Sequence, residues 1–186
     1  MLIAALGVSD ADGQEWRHAR ADVHNSNYSS GTAKLTTPAT RWRFRIGAAV
    51  QQVMPVDADL DGTDDVLSLG GGRVQARSRG GKMLWSTGAL GIVSLGTPAD
   101  FDGDAVVDLP VRLPAGVALL SSTTGAVKWQ SPPGLDSGGT QMHVADFDGD
   151  GVAELAVNNA AGSTWKTDAP VRIYKFSGPS VSTMLS

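Results

Sequence analysis

The sequence predicts an all-β fold built from repeated units of about four strands. Short runs in which Val, Leu and Ile alternate with small or polar residues are typical of half-buried strands. No stretch shows the sustained i, i+3, i+4 apolar spacing of an amphipathic helix. The length of 186 residues suits one domain. Cysteine is absent, which excludes disulfide bonds and thiolate metal sites.

An acidic segment occurs three times and sets the repeat. The copies are loop 1 (Asp57–Asp65), loop 2 (Asp100–Asp108) and loop 3 (Asp146–Glu154), and their starts lie 43 and 46 residues apart. Trp42, Trp85 and Trp129 recur with nearly the same period, and Tyr174 takes the corresponding place after loop 3. A period near 45 that contains only strands and turns indicates propeller blades. We therefore expect a partial β-propeller of about three to four blades, each a four-stranded antiparallel sheet.

Each unit can be divided into strands around its loop. The strands predicted to enter the loops are 52–56, 94–99 and 141–145, those that leave them are 66–69, 109–113 and 155–158, and those that follow are 73–78, 115–121 and 171–176. A fourth strand carries Trp85 or Trp129, whereas the third and fourth strands of the last unit cannot be separated. The predicted domains are 1–14, a signal-peptide remnant or flexible N-terminus, and 15–186, with repeats at about 42–85, 86–129 and 130–176.

The acidic loops carry the chemistry of a metal site. Carboxylates stand at positions 1, 3, 5 and 9 of each loop, and a glycine lies inside the turn. A hard cation that takes six to eight oxygen ligands fits this spacing, and crowded carboxylates repel one another unless a cation neutralises them. The alternative is a solvated turn, since Asp and Gly favour turns. An EF-hand is excluded because position 12 holds Ser68, Val111 or Val157 instead of Glu.

The charge is local to these loops, which hold 13 of the 19 acidic residues and leave a basic remainder. Without a dense basic tract, we interpret that remainder as ordinary outward-facing strand residues and expect no nucleic-acid partner. No apolar run of about 18 residues predicts a membrane span. The segment 1–9 resembles the end of a signal peptide or is simply an apolar terminus. Trp165, in an insertion, either recognises a ligand or plugs its own loop.

The loops resemble FG-GAP or VCBS repeats, as in integrin α-subunit heads and secreted bacterial propellers. ADFDGDGVAELAV (145–157) and ADFDGDAVVDLPV (99–111) are close to the signature, and DADLDGTDDVL (57–67) is looser. The resemblance implies up to three Ca²⁺ ions. By position, the implied ligands are Asp57, Asp59, Asp61 and Asp65; Asp100, Asp102, Asp104 and Asp108; and Asp146, Asp148, Asp150 and Glu154, with the carbonyls of Thr63, Val106 and Val152. Loop 1 could begin at Asp57 or at Asp59, and loop 2 has Ala105 where the others have Gly.

A second resemblance is to PQQ-like propellers, whose blades end in a turn followed by Trp. GGKMLWS (80–86) and TTGAVKWQ (123–130) have this form, which implies that Trp85 and Trp129 pack between blades. Closed propellers usually have four to eight blades, whereas three units are visible here. We therefore expect either a longer parent chain, completion by another chain, or self-association through open faces.

The leading functional hypothesis is a secreted, periplasmic or cell-surface module that binds or adheres to a protein or glycan, with structural Ca²⁺. The alternative is part of a secreted propeller enzyme, such as a PQQ-dependent dehydrogenase or a polysaccharide lyase. His18, His24 and His143 are the only histidines, and no Ser-His-Asp, HExxH or phosphate-binding pattern appears, which favours a non-enzyme. A third hypothesis is a self-assembling scaffold. The sequence does not identify the ligand or the loops that bind metal.

Overall fold

The computed structural model describes residues 39–40, 42–132, 141–158, 171–178 and 180–185. Every regular element among them is a β-strand, which confirms the all-β prediction. The chain divides into two compact units, Met1–Phe44 and Arg45–Ser186. In the first unit, the ring of Trp42 lies 5.3 Å from that of Phe44. The predicted division at residue 15, the segment 1–9 and Trp165 lie outside the described residues.

The described strands form three antiparallel sheets of four strands, and strands that are consecutive in the chain are neighbours in each sheet. Sheet 1 contains β1 (Val50–Val56), β2 (Asp65–Gly70), β3 (Arg73–Arg77) and β4 (Met83–Ser86). Sheet 2 contains β5 (Ser94–Leu95), β6 (Asp108–Leu113), β7 (Gly116–Ser121) and β8 (Val127–Gln130). Sheet 3 contains β9 (Gln141–Ala145), β10 (Glu154–Asn158), β11 (Val171–Ser177) and β12 (Ser180–Leu185).

The strand entering loop 2 differs most from its prediction of 94–99. Regular pairing of β5 stops at Leu95 and returns only as a single bridge between Ala99 and Asp108. The interruption follows from Pro98, which has no N–H to donate to a neighbouring strand. In the last unit, where the sequence did not separate two strands, a turn at Gly178 with φ of 57° divides β11 from β12.

Two apolar clusters lie between successive sheets. The first joins sheets 1 and 2 and includes Leu67 and Leu120, and the second joins sheets 2 and 3 and includes Leu119 and Leu155. All four side chains are fully buried. Because successive residues of a strand point to opposite faces, Leu119 and Leu120 of β7 serve different clusters. Sheet 2 is therefore covered on both faces, as a strand run rich in Val and Leu requires.

The two tryptophans on fourth strands contact the next sheet. Trp85 Nε1 donates a hydrogen bond to the Ser122 carbonyl at 2.9 Å, and its ring lies so close to Gly125 that an added Cβ would approach it to 2.5 Å. The Trp129 ring lies 4.9 Å from Tyr174 and 5.3 Å from Phe176. The prediction that Tyr174 takes the place of the tryptophan in the third unit was wrong. Tyr174 lies on β11, which is a third strand, and its ring packs against that of Trp129.

The described strands close no barrel. Three four-stranded antiparallel sheets in chain order, packed through two successive cores, are consistent with part of a propeller. Within the described ranges, no helix has the length and apolar character that crossing a membrane requires. The fold places each acidic loop at the same point of its sheet, between the first and second strands.

Candidate metal centres

The ninth-position acid of each loop is the first residue of a strand, so the sheet fixes it in place. Asp65 begins β2, Asp108 begins β6 and Glu154 begins β10. These three side chains are at most 1% exposed, whereas the acids at positions 1, 3 and 5 are exposed or half-buried. Each loop therefore has one buried carboxylate at its base and three nearer the solvent.

Two backbone positions in each loop adopt left-handed conformations, which tighten the turn. At position 4, φ is 60° for Leu60, 77° for Gly103 and 78° for Gly149. At position 6, φ is 83° for Gly62, 66° for Ala105 and 91° for Gly151. Glycine adopts these angles without a steric penalty, but Leu60 and Ala105 do not. Loop 3 is thus the only one of the three with glycine at both positions.

The first carboxylate of each loop holds the turn closed. In loop 3, Asp146 accepts hydrogen bonds from the N–H groups of Gly149 at 2.6 Å and Gly151 at 2.9 Å. In loop 2, Asp100 accepts the equivalent bonds from Gly103 and Ala105, and Asp57 does the same for the N–H groups of residues 61 and 62 in loop 1. This folding turns alternate side chains toward one point.

The structure brings most of the predicted acidic ligands together. Carboxylate oxygens that lie within 4.8 Å of one another come from three groups: Asp146, Asp148, Asp150 and Glu154; Asp57, Asp59 and Asp61; and Asp100, Asp102 and Asp104. The ninth-position acids Asp65 and Asp108 are not members of these groups. Loop 3 is therefore the most complete centre, with four convergent carboxylates.

Asp65 has a different partner set from Glu154. Its two oxygens accept hydrogen bonds from the backbone N–H groups of Ala58 and Arg79, both at 3.0 Å. Burial raises the pKa of the Asp65 carboxyl, and these two hydrogen bonds offset part of that effect. In this structure Asp65 ties the base of loop 1 to β3 and its following turn. Glu154 also accepts the N–H of Phe147, but through Oε2 alone.

A lysine ammonium lies among the carboxylates of loop 2. Lys128, on β8, places Nζ 2.6 Å from Asp102 Oδ2, 3.0 Å from Asp108 Oδ2 and 3.6 Å from Asp104 Oδ2. Burial disfavours its charged form, but the hydrogen bonds to Asp102 and Asp108 outweigh burial and raise the pKa of Lys128. Burial also raises the pKa of Asp108 to about 6, against the opposing effect of Lys128.

A second lysine occupies loop 3 in the same manner. Lys175, on β11, is hydrogen-bonded to Asp148, lies 2.5 Å from Asp150 Oδ2 and lies 3.6 Å from Glu154 Oε1. The hydrogen bonds that this ammonium group donates to the carboxylates of Asp148 and Asp150 raise its pKa. The pKa of Asp150 is lowered, first by Lys175 and then by the N–H of Val152. Neither lysine was predicted from the sequence as a partner of the loops.

The donor atoms fit a hard cation. Three buried carboxylate oxygens, Asp102 Oδ1, Asp108 Oδ1 and Glu154 Oε1, have no hydrogen-bond partner within the described part of the chain. Buried carboxylate oxygens that lack a partner are costly unless a cation or water satisfies them. All the side-chain atoms that could bind a metal at the three centres are oxygens, which Ca²⁺ and Mg²⁺ prefer as ligands. The clusters could therefore hold metal ions.

The predicted carbonyl ligands remain predictions. Thr63, Val106 and Val152 occupy the seventh position, and each donates its N–H to the fifth-position carboxylate of its loop at 2.8–2.9 Å. The pKa of Asp61 is lowered, first by the hydroxyl of Thr63 and then by its N–H. The pKa of Asp104 is lowered chiefly by the Val106 N–H. These bonds pre-order the fifth carboxylate in every loop.

Comparison with known proteins bears on loop 3. The family model described as FG-GAP repeat matches residues 138–170, a segment that contains the whole of loop 3, β9 and β10. The comparisons with curated proteins and with solved structures each find no match. The resemblance of the blade ends to PQQ-like propellers stays a prediction. The match at residues 138–170 is consistent with an FG-GAP repeat in that segment.

Proposed function

We propose that this chain is a calcium-binding segment of an extracellular β-propeller, acting as a binding or adhesion module with structural Ca²⁺ in its three acidic loops. The observation that carries the proposal is the convergence of Asp146, Asp148, Asp150 and Glu154 within an FG-GAP repeat. Four carboxylates in one small site need a cation, and all four offer oxygen ligands.

The residues that would hold calcium in loop 3 are those four acids, with the Val152 carbonyl as the expected further ligand. In loops 1 and 2, the convergent acids at positions 1, 3 and 5 would form the site. Bound calcium would supply two positive charges and would hold several carboxylates of one loop together. The chain's own part is to present these oxygens through two left-handed turns and a strand-anchored ninth acid. Each ion would therefore fix the connection between the first two strands of its sheet.

An extracellular location is supported by the family, because FG-GAP repeats are typically extracellular. Calcium is millimolar outside cells, which suits structural sites of modest affinity. Two loops also carry exposed apolar side chains, Leu60 at 59% and Phe147 at 46% exposure. By contrast, Phe101 at the same position as Phe147 is fully buried in the second core. We propose that the loops contact a protein or glycan through such side chains.

Thermal unfolding in Ca²⁺, Mg²⁺ and EDTA tests the metal part of the proposal. An ion that binds only the folded chain stabilises it by about 2.7 kcal/mol per site at a hundredfold excess over its Kd. We expect a calcium-specific rise in Tm that is smaller in the Asp146→Asn, Asp148→Asn double variant. A matched control is Asp64→Asn, since Asp64 is acidic but stands outside the 1, 3, 5, 9 pattern. An unchanged Tm in calcium would contradict the proposal.

A further inference from the structure

The ammonium groups of Lys128 and Lys175 lie where loops 2 and 3 bring their carboxylates together. We propose that these two lysines are resident counter-cations, which calcium must displace to enter either loop. The inference rests on the proposed calcium sites and adds to them a competition built into the chain. Each of these two loops would exchange the single positive charge of a lysine for the double charge of a calcium ion, so that its carboxylates would have a counter-cation in both states.

The contacts of Lys128 place its ammonium group where it would compete with calcium for the carboxylates of loop 2. Its Nζ lies within 2.6–3.6 Å of oxygens from positions 3, 5 and 9 of loop 2. Two of these residues, Asp102 and Asp104, also belong to the proposed loop 2 site. A calcium ion bound to their oxygens at about 2.3–2.6 Å would have to occupy the space of the ammonium group. Two cations so close would also repel each other strongly. One of them must therefore leave.

The fold directs both lysines into the loops. Trp129, next to Lys128, and Tyr174 and Phe176, which flank Lys175, belong to the second core. Side chains alternate along a strand, so anchoring these aromatics in the core sends each lysine to the opposite face. The aromatic packing thus supports the ammonium positions independently of the loops.

Each lysine can leave its loop without unfolding the sheet. The side chains of Lys128 and Lys175 are 29% and 26% exposed, so a rotation about their flexible stems reaches solvent. Calcium can bind only to the chains whose lysine has left the loop. The apparent calcium affinity is therefore the intrinsic affinity multiplied by the fraction of chains in that state. The benefit is that part of the negative charge of loops 2 and 3 stays compensated in the absence of metal.

Loop 1 lacks this arrangement in the part of the chain that the structure describes. No lysine forms an ion pair with Asp57, Asp59 or Asp61 there, and Asp61 is instead hydrogen-bonded to the Thr63 hydroxyl at 2.6 Å. The nearest lysine in the sequence of that unit, Lys82, precedes β4, and its backbone N–H is bonded to Ser78. Lys82 therefore serves as the matched control.

Lysine reactivity in the unaltered protein tests the exchange directly. The chain is labelled briefly with acetic anhydride in EDTA and in excess Ca²⁺, and modification at each lysine is measured by peptide mass spectrometry. Because a lysine displaced from the carboxylates extends into solvent, where the reagent can reach Nζ, we expect calcium to raise labelling of Lys128 and Lys175 about threefold to tenfold. Labelling of Lys82 should not change. Equal or lower labelling of both lysines in calcium would overturn the exchange.

Calcium titration of Lys128→Met, Lys175→Met and the double variant separates this inference from the proposed function. Removing the competitor should tighten calcium binding at the affected loop about tenfold, whereas Lys82→Met should leave it unchanged. If the wild-type protein binds calcium and the double variant binds it no more tightly, the exchange fails and the proposed function stands. If neither protein binds calcium, both fail. Binding by the double variant alone would support the exchange in its strongest form.

Discussion

Loops 3 and 1 share one spacing of carboxylates but differ in what the ninth acid does. In loop 3, Glu154 converges with three aspartates and keeps one buried oxygen without a hydrogen-bond partner among the described residues. In loop 1, both oxygens of Asp65 are taken by backbone N–H groups, and only three acids converge. Equal spacing in the sequence therefore does not give equal sites, because backbone N–H groups take both oxygens of Asp65 and keep it out of the carboxylate cluster.

The ninth-position acid gives the sharpest test of this difference. Glu154→Gln removes a buried charge from the metal cluster and should weaken calcium binding at loop 3 on the order of tenfold to a hundredfold. Asp65→Asn instead replaces one acceptor oxygen by an NH₂ group, so that one of the two backbone N–H groups loses its acceptor. This change should lower the free energy of unfolding by about 1–3 kcal/mol in EDTA. Calcium titration and chemical denaturation measure the two effects.

The comparison would break if the two substitutions behaved alike. Equal losses of calcium affinity in Glu154→Gln and Asp65→Asn would mean that Asp65 turns toward the metal when the ion binds. In that case the backbone bonds of Asp65 would be a feature of the metal-free chain alone, and loops 1 and 3 would be equivalent sites.

Loop 2 extends the comparison to pH. The folded-state pKa of Asp108 is raised to about 6 from 3.8, chiefly by burial, so the folded chain holds a proton that the unfolded chain has released. The contribution of this group to stability without metal should therefore be greatest below about pH 4 and should fall as pH rises through about 6. The expected loss is about 2 kcal/mol, since solvent screening reduces the effect of the full shift.

Denaturation in EDTA across pH 4 to 7 isolates the Asp108 contribution when wild type is compared with Asp108→Asn. The asparagine variant has no proton to lose, so its free energy of unfolding should decline less over this range. Parallel pH profiles for the two proteins would show that the Asp108 carboxyl does not hold its proton in the folded state, contrary to the burial argument.

Backbone strain gives the smallest of the expected differences. Ala105 and Gly151 occupy the same left-handed position in loops 2 and 3. Gly151→Ala should destabilise the chain by about 1 kcal/mol, and an added Cβ there meets no atom within 4 Å, so the cost is conformational. Ala105→Gly should stabilise it by about 0.5 kcal/mol, since relief of strain is partly offset by entropy of the unfolded chain. The same sign for both changes in thermal unfolding would refute this account.

The strand order and the four-stranded sheets could be predicted from the sequence because the same unit occurs three times, so that each copy supports the assignment of the others. Alternating apolar residues predicted most strands to within a residue or two, and the loops fixed where each sheet turns. The exceptions have local causes. Pro98 interrupts β5, and the short turn at Gly178 was not separable from its flanking strands. Tyr174 was misplaced because distance along the chain does not distinguish a third strand from a fourth.

The candidate sites were predictable only as far as they are local. Acids at positions 1, 3 and 5 converge because a nine-residue turn brings them together. The orientation of Asp65 depends on the N–H of Arg79, fourteen residues away, and the presence of Lys128 and Lys175 in the loops depends on strand register. A lysine adjacent to a core aromatic on a strand beside an acidic loop is the signal that could have indicated them.

The central claim is that each of the three acidic loops holds a calcium ion. Native mass spectrometry of the intact chain, after exchange into a volatile buffer with excess Ca²⁺, counts bound ions directly. The account predicts a mass increase equal to three calcium ions, reduced by one in the Asp146→Asn, Asp148→Asn variant, and no comparable increase in EDTA. A chain whose mass is unchanged by calcium would contradict it, and the acidic loops would then be turns neutralised by the protein's own lysines and backbone.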